Sequence, residues 1–394
     1  MRCLEKAGLF VGLVLLNSLP ALAQTRGHQH PNFRAGSPPY IPAVRYSFRG
    51  EVKPESLLVR GLLELEYRNS TDDSVGEVCL FTGMPIIDPH DTSMNTEPPY
   101  MRLDSMLCYG VPLSKSELFV DGRTITAVLP RRLASGGKAF FIMTFETRLG
   151  SGVDSKSSSS VVYTGWYPRV AAFRDGRWYT RTSDVFDNAV PEFADFAMAL
   201  KIDSAYSLVY PGELINDKEH YGLLPPAHND SIYVDIVNQH QQEYAGIKYK
   251  PLFESGYKNF YIRSRNDIDF SFVAQKGLIR DRAYVDSLTV EVCYPPELSE
   301  VWAGFVAAEA ACVTRSLEDK LGTFPYSHLR IASSNDAPTG VDSRQVVVLR
   351  SDVTDTLLLR TILAVQISQC WYPAWPSDSN DTSPALLPLW EYDN

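Results

Sequence analysis

Few residues in this chain have both the type and the spacing that chemistry requires. Asp342 and Glu391 are two carboxylates in its last quarter. Such a pair can run acid and base catalysis when the surroundings push its two pKa values apart. Nothing in the sequence brings these two together. His28 and His30, in Gly27-His28-Gln29-His30, could hold a metal ion, although a polar tail is the simpler reading. Cys79, Cys108, Cys293, Cys312 and Cys370 are irregularly spaced and include no C-x-x-C pair, which argues against a cysteine zinc site. A Cys79–Cys108 disulfide would fit an oxidising compartment; buried free thiols are the alternative, and the favoured one. Asn69, Asn229 and Asn380 open N-x-S/T triplets, which matter only where exported proteins are glycosylated.

The elements that must position these residues belong to a chain of 394 residues, long enough for two domains. Apolar residues make up 44% and charged ones 21%, so a core of ordinary size can form. A net charge of -10 without a basic stripe excludes a nucleic-acid partner. Arg2 and Lys6 precede an apolar run from Ala7 to Leu16, and Pro20 leads into Ala21-Leu22-Ala23. This is the layout of a secretory signal peptide over 1–23, cleaved after Ala23, and it predicts a secreted or periplasmic protein. The remaining sequence offers no transmembrane anchor. Residues 24–44 are expected to form a flexible leader.

Residues 45–272 read as a β domain. Leu58 to Arg68 sets Val59, Leu63, Leu65 and Tyr67 at an approximate period of two. Glu117 to Val120 and Thr124 to Leu129 flank Asp121-Gly122, a hairpin signature. Further strands are expected over Ala139 to Glu146, Ala197 to Ile202, Ser231 to Val237 and Lys258 to Ser264, with a polar loop from Ser155 to Ser160. The character then changes to mixed helix and strand in 273–394. Leu288 to Tyr294 is a strand stopped by Pro295-Pro296. Ser299 is expected to cap a helix that aligns Val301, Trp302, Phe305, Val306, Cys312, Val313 and Leu317, and that Gly322 and Pro325 close. Leu329 to Ala332 and Gln345 to Leu349 are short strands. Asp355 to Tyr372 is apolar almost all round, which predicts a buried helix.

Several segments, in this order, resemble the aminopeptidase N family of gluzincin metallopeptidases, especially its bacterial secreted members. They are Leu58 to Gly61 with Glu64 to Asn69; Gly165-Trp166-Tyr167-Pro168-Arg169-Val170 with Asp175-Gly176 and Trp178; Phe193 to Phe196; Pro211 to Leu214; and Leu321 to Tyr326. Taken singly, Trp166 and Tyr167 are ordinary core aromatics and Asp175-Gly176 a turn. The resemblance implies an α+β multidomain fold. An N-terminal β-sandwich or saddle domain would precede a truncated, thermolysin-like α/β catalytic-type domain.

That family holds zinc through H-E-x-x-H on a buried helix and a Glu about twenty residues later. Ala364-Val365-Gln366-Ile367-Ser368-Gln369-Cys370-Trp371 is similar to its A-H-E-x-x-H-Q-W pattern. Val365 and Gln369 then stand at the two His positions, Gln366 at the general base, and Glu391 near the third ligand. An isopropyl group has no lone pair, and a neutral amide neither accepts a proton at pH 7 nor ligates zinc well. No cofactor is therefore expected where the family carries zinc. The family's G-x-M-E-N edge strand, which pairs with the substrate backbone, matches Thr339-Gly340-Val341-Asp342-Ser343. There Gly340 and Asp342 are candidate substrate-binding residues, an ordinary turn being the other reading of Asp342. The sequence ends three residues after Glu391, at Asn394, short of the family's later helices. The expected function is an aminopeptidase-like pseudoenzyme that binds a peptide or protein. The alternative is a residual or altered hydrolase acting through Asp342 and Glu391.

Overall fold

A computed structural model describes residues 42–87, 99–150, 160–174, 176–180, 191–216, 256–334, 340–353 and 355–371. The expected leader, the Ser231 to Val237 strand, most of the Ser155 to Ser160 loop and Glu391 lie outside them.

The largest sheet is built around β1 (Val44–Lys53) and β2 (Leu58–Arg68), followed in the chain by β3 (Lys138–Arg148), β4 (Ala194–Asp203) and β5 (Tyr257–Asp267). In space they run β5-β4-β1-β2-β3, and the strand Tyr100–Cys108 follows β3. Only β1 and β4 pair in parallel here; the other pairs in this run are antiparallel. Val44, Tyr46, Phe48 and Val52 alternate along β1 and point inward, as a pleat of period two requires. Beneath them Trp166 and Tyr167 are fully buried against Phe48, Phe196 and Phe272. The Trp166 indole donates to the Phe270 carbonyl at 2.8 Å, and the Tyr167 hydroxyl to Asp269 Oδ1 at 2.7 Å. Both aromatics are core residues with satisfied polar tips.

The expected hairpin forms between Leu118–Asp121 and Thr124–Leu133, one residue out of the expected phase. Asp121 pairs with Thr124, so Gly122 and Arg123 make the turn, and Gly122 takes the left-handed φ of 58° that a side chain disfavours. Cys79 and Cys108 are both free and buried, without the disulfide. Asn69 is fully buried and closes a turn. Its Nδ2 donates to the carbonyls of Asp73, Leu133 and Ala134, and its Oδ1 accepts from the amide and hydroxyl of Thr71.

The second sheet holds β6 (Ile279–Val285), β7 (Leu288–Tyr294), β8 (His328–Ser334), β9 (Gly340–Ser343) and β10 (Val346–Arg350), in the spatial order β6-β7-β8-β10-β9. Among the described residues β9 is an edge strand, antiparallel to β10, while β7, β8 and β10 run parallel. One face carries Val290, Val292, Leu329, Ile331, Val347 and Leu349 against two helices, α1 (Phe305–Leu321) and α2 (Thr356–Gln369). The other face turns Cys293, Ala332, Val346 and Val348 toward Val209 and Val273 of the first half.

The expected helix from Ser299 is broken. A short helical turn, Ser299–Trp302, ends at Ala303, and Gly304, at φ 67°, starts α1 afresh. The buried face of α1 is Val306, Ala307, Ala310, Thr314 and Leu317, while Cys312 and Val313 are half-buried. Gly322 ends the helix as expected, at φ 91°.

Charge also crosses the seam between the two halves. Glu291 on β7 meets Arg280 and Arg282 of β6 and Arg330 of β8. Arg330 Nη1 reaches over to the carbonyls of Tyr210 and Gly212, at 2.8 and 2.7 Å, and Arg280 Nη2 to that of Leu208 at 2.9 Å. Gly212 sits so close to β5 that a Cβ there would lie 2.1 Å from the Arg263 carbonyl. Burial alone would raise the Glu291 pKa; Arg280 and Arg330 outweigh it and hold it below the ordinary value.

Candidate functional site

The residues singled out by the zinc-motif comparison lie on α2. Asp355 caps this helix, its Oδ1 accepting from the Leu358 amide at 2.7 Å, and no Gly or Pro interrupts it before Gln369. Leu359, Leu363 and Ile367 form the buried stripe toward the sheet core. Arg360 adds a two-pronged ion pair to Glu309 of α1, both contacts at 2.9 Å.

Val365 and Gln369 are one turn apart, on a neighbouring stripe with Leu358 and Ile362. This stripe is only partly covered: Leu358 is 50% exposed, and Ile362, Val365 and Gln369 are half-buried. Gln366 faces inward, and its Oε1 is buried without a hydrogen-bond partner among the described residues. The helix touches β9, so the strand bearing Gly340 and Asp342 runs beside it. The structure thus brings the α2 positions near the β9 backbone. Glu391 lies outside the described residues.

A zinc ion of the family type does not fit this donor set. Val365 offers hydrocarbon, and Gln366 and Gln369 offer neutral amides, where such an ion takes imidazole, thiolate or carboxylate. Among the described residues no cluster of three or more His, Cys, Asp or Glu could hold a metal. His328 is the one described histidine, and it starts β8 with Nδ1 2.9 Å from the Ser327 hydroxyl.

A polar corner next to β9 was not legible from the sequence. Asp267, at the end of β5, is fully buried and accepts from five donors. Its Oδ1 takes the amides of Ile268 at 2.8 Å and Arg344 at 3.1 Å; its Oδ2 takes Ser343 Oγ and Gln345 Nε2, each at 3.0 Å, and Ser264 Oγ at 3.5 Å. Burial pushes its pKa up against the pull of those donors. Gln345 also accepts from the Gly212 amide at 3.1 Å, which ties the β9–β10 turn to the first half. Arg344, in the same turn, is 1% exposed and lies over the Phe193 ring at 4.7 Å. Tyr326 donates to the Asn266 carbonyl at 2.6 Å; burial first, then the nearby Asp267 charge, raises its pKa well above the ordinary value. Cys370, just past α2, is buried and kept in the thiol form by desolvation.

No protein-family profile and no curated protein sequence matches this chain. Solved structures do. A single-residue variant of the M1 zinc metallopeptidase from Deinococcus radiodurans superposes with a TM-score of 0.51 at 11% identity, over 82% of this chain and 64% of that one. The chain shares that fold. The M1 zinc metallopeptidase from Deinococcus radiodurans itself gives 0.49 at 11% identity, and a two-domain M1 zinc metallopeptidase variant bound to L-arginine gives 0.49 at 12%, both with the same coverage. The chain therefore spans 64% of the length of these structures, less than two thirds. At this identity the likeness concerns architecture: mixed helix and strand, with several sheets.

Proposed function

We propose that this chain is an exported aminopeptidase-like protein that binds a peptide or protein ligand and does not cleave it. The observation that carries the reading is the pair Val365 and Gln369, one turn apart on α2 beside β9, where a zinc peptidase of this fold needs two imidazoles. Hydrolysis without the metal would lack both the activated water and the Lewis acid, and Gln366 cannot replace the general base. The proposed organisation is a signal peptide over 1–23, a leader over 24–44, a β domain over 45–272 and a zinc-peptidase-like domain over 273–394. Among the described residues no helix is long and apolar enough to cross a membrane. Among the described residues β9 ends the sheet, a position that suits a ligand adding its backbone as a further strand.

The test is elemental analysis of the purified protein together with assays on amino-acid arylamides. No zinc above background and no hydrolysis are expected. One zinc per chain with chelator-sensitive cleavage would overturn the proposal.

A further inference from the structure

Arg344 presents a problem in physical chemistry that the fold does not itself solve. Its guanidinium cannot shed its proton, and burying an uncompensated charge is strongly unfavourable. Yet Nε and Nη1 are buried without a hydrogen-bond partner among the described residues. No carboxylate among the described residues lies within ion-pair distance of it, whereas Arg330 and Arg280, also in the interior, both reach Glu291. Asp267 is near, but both its oxygens are already engaged by other donors. The Phe193 ring covers the face of the guanidinium and the Tyr326 hydroxyl meets part of its edge, which leaves Nε and Nη1, in the plane, for another group.

The location gives that group a source. Arg344 directly follows β9, the edge strand, and Cys370 at the end of α2 lies within range of its charge. A chain that added to the β9 edge would run past this corner. We infer that Arg344 anchors a carboxylate of the peptide ligand, from either its C-terminus or an acidic side chain. This rests on the peptide-binding reading above and narrows it to a class: ligands with a carboxylate close to the segment that pairs with β9. Charge-assisted hydrogen bonds to a guanidinium in a dry corner are about twice as strong as neutral ones.

The test is calorimetric titration of the full chain with four tripeptide probes. The first two are Ala-Ala-Ala as free acid and as amide. The second two are acetyl-Ala-Glu-Ala-amide and acetyl-Ala-Gln-Ala-amide. In at least one pair the acid is expected to bind about tenfold or more tighter than its neutral partner, and the winning pair identifies the source of the carboxylate. Arg344→Met should abolish that difference, while Arg344→Lys, which keeps the charge but not the planar donors, should retain part of it. If Arg344→Met does not fold, the Lys variant decides, and an unchanged acid preference there overturns the assignment. Equal binding of acid and neutral probes to the unsubstituted protein also overturns it, while leaving the peptide-binding reading intact. Failure of all four probes to bind removes both.

Discussion

Glu291 and Arg344 are both buried charges near the seam between the two halves, and they are treated in opposite ways. Around Glu291 three guanidinium groups converge, and two of them also donate to carbonyls of the neighbouring half. There the charges are balanced within the protein, although Arg330 Nε, 3.5 Å from Glu291, makes no hydrogen bond among the described residues, and the cluster holds β7 and β8 against the first half. Around Arg344 the donors outnumber the acceptors. A cluster closed on itself is a structural device; one left open in the interior asks for something from outside. The contrast separates two roles that sequence composition alone would merge, since both are simply Arg and Glu among apolar neighbours.

The largest effect expected from breaking this contrast is at Glu291. Replacing it with Ala strands Arg330, which is 5% exposed, and should cost about 3–5 kcal/mol in urea denaturation. The same residue sets a pH dependence. Its folded pKa lies below the ordinary 4.5, so its contribution is present above that value and is lost as pH falls through the folded pKa. Asp267 has the opposite sign: raised above 3.8, it favours folding at low pH and loses that contribution as pH rises through its folded pKa. Urea midpoints followed downward from pH 6 should therefore fall less steeply in Glu291→Gln than in the unsubstituted chain, and equal slopes would remove Glu291 from the account. Arg344→Met, by contrast, should leave stability unchanged or raise it by about 1 kcal/mol. A loss of about 3 kcal/mol there would place Arg344 in the same class as Arg330 and end the comparison. The smallest effect concerns the Arg360–Glu309 pair between α1 and α2, with Arg360 partly in solvent; a double-mutant cycle should give a coupling of about 0.5 kcal/mol.

How far these features were legible depends on whether their causes are local. β2 and β7 were bounded correctly, because alternation and flanking turn residues mark both strands. α2 was expected within a few residues because its run is apolar almost all round. The start of α1 was misplaced because Ala303-Gly304 interrupts an otherwise continuous apolar pattern. The Arg344 corner could not be read at all. Ser343, Arg344 and Gln345 look like a polar turn between two apolar runs, and their partner Asp267 lies some 77 residues earlier. A likeness to a family pointed to α2 and β9, whereas an orphaned guanidinium is visible only once the chain is folded.

The turn closed by Asn69 has a consequence for how the chain would meet a glycosylating cell. In the sequence Asn69-Ser70-Thr71 is an acceptor triplet, but in the fold the same amide nitrogen is held by three carbonyls and shielded from solvent. An oligosaccharyltransferase could modify it only while this part of the chain is still unfolded. A sugar detected at Asn69 by glycopeptide mass spectrometry would then mark molecules intercepted before maturation, and a uniformly decorated yet native population would show that the turn is not built as described.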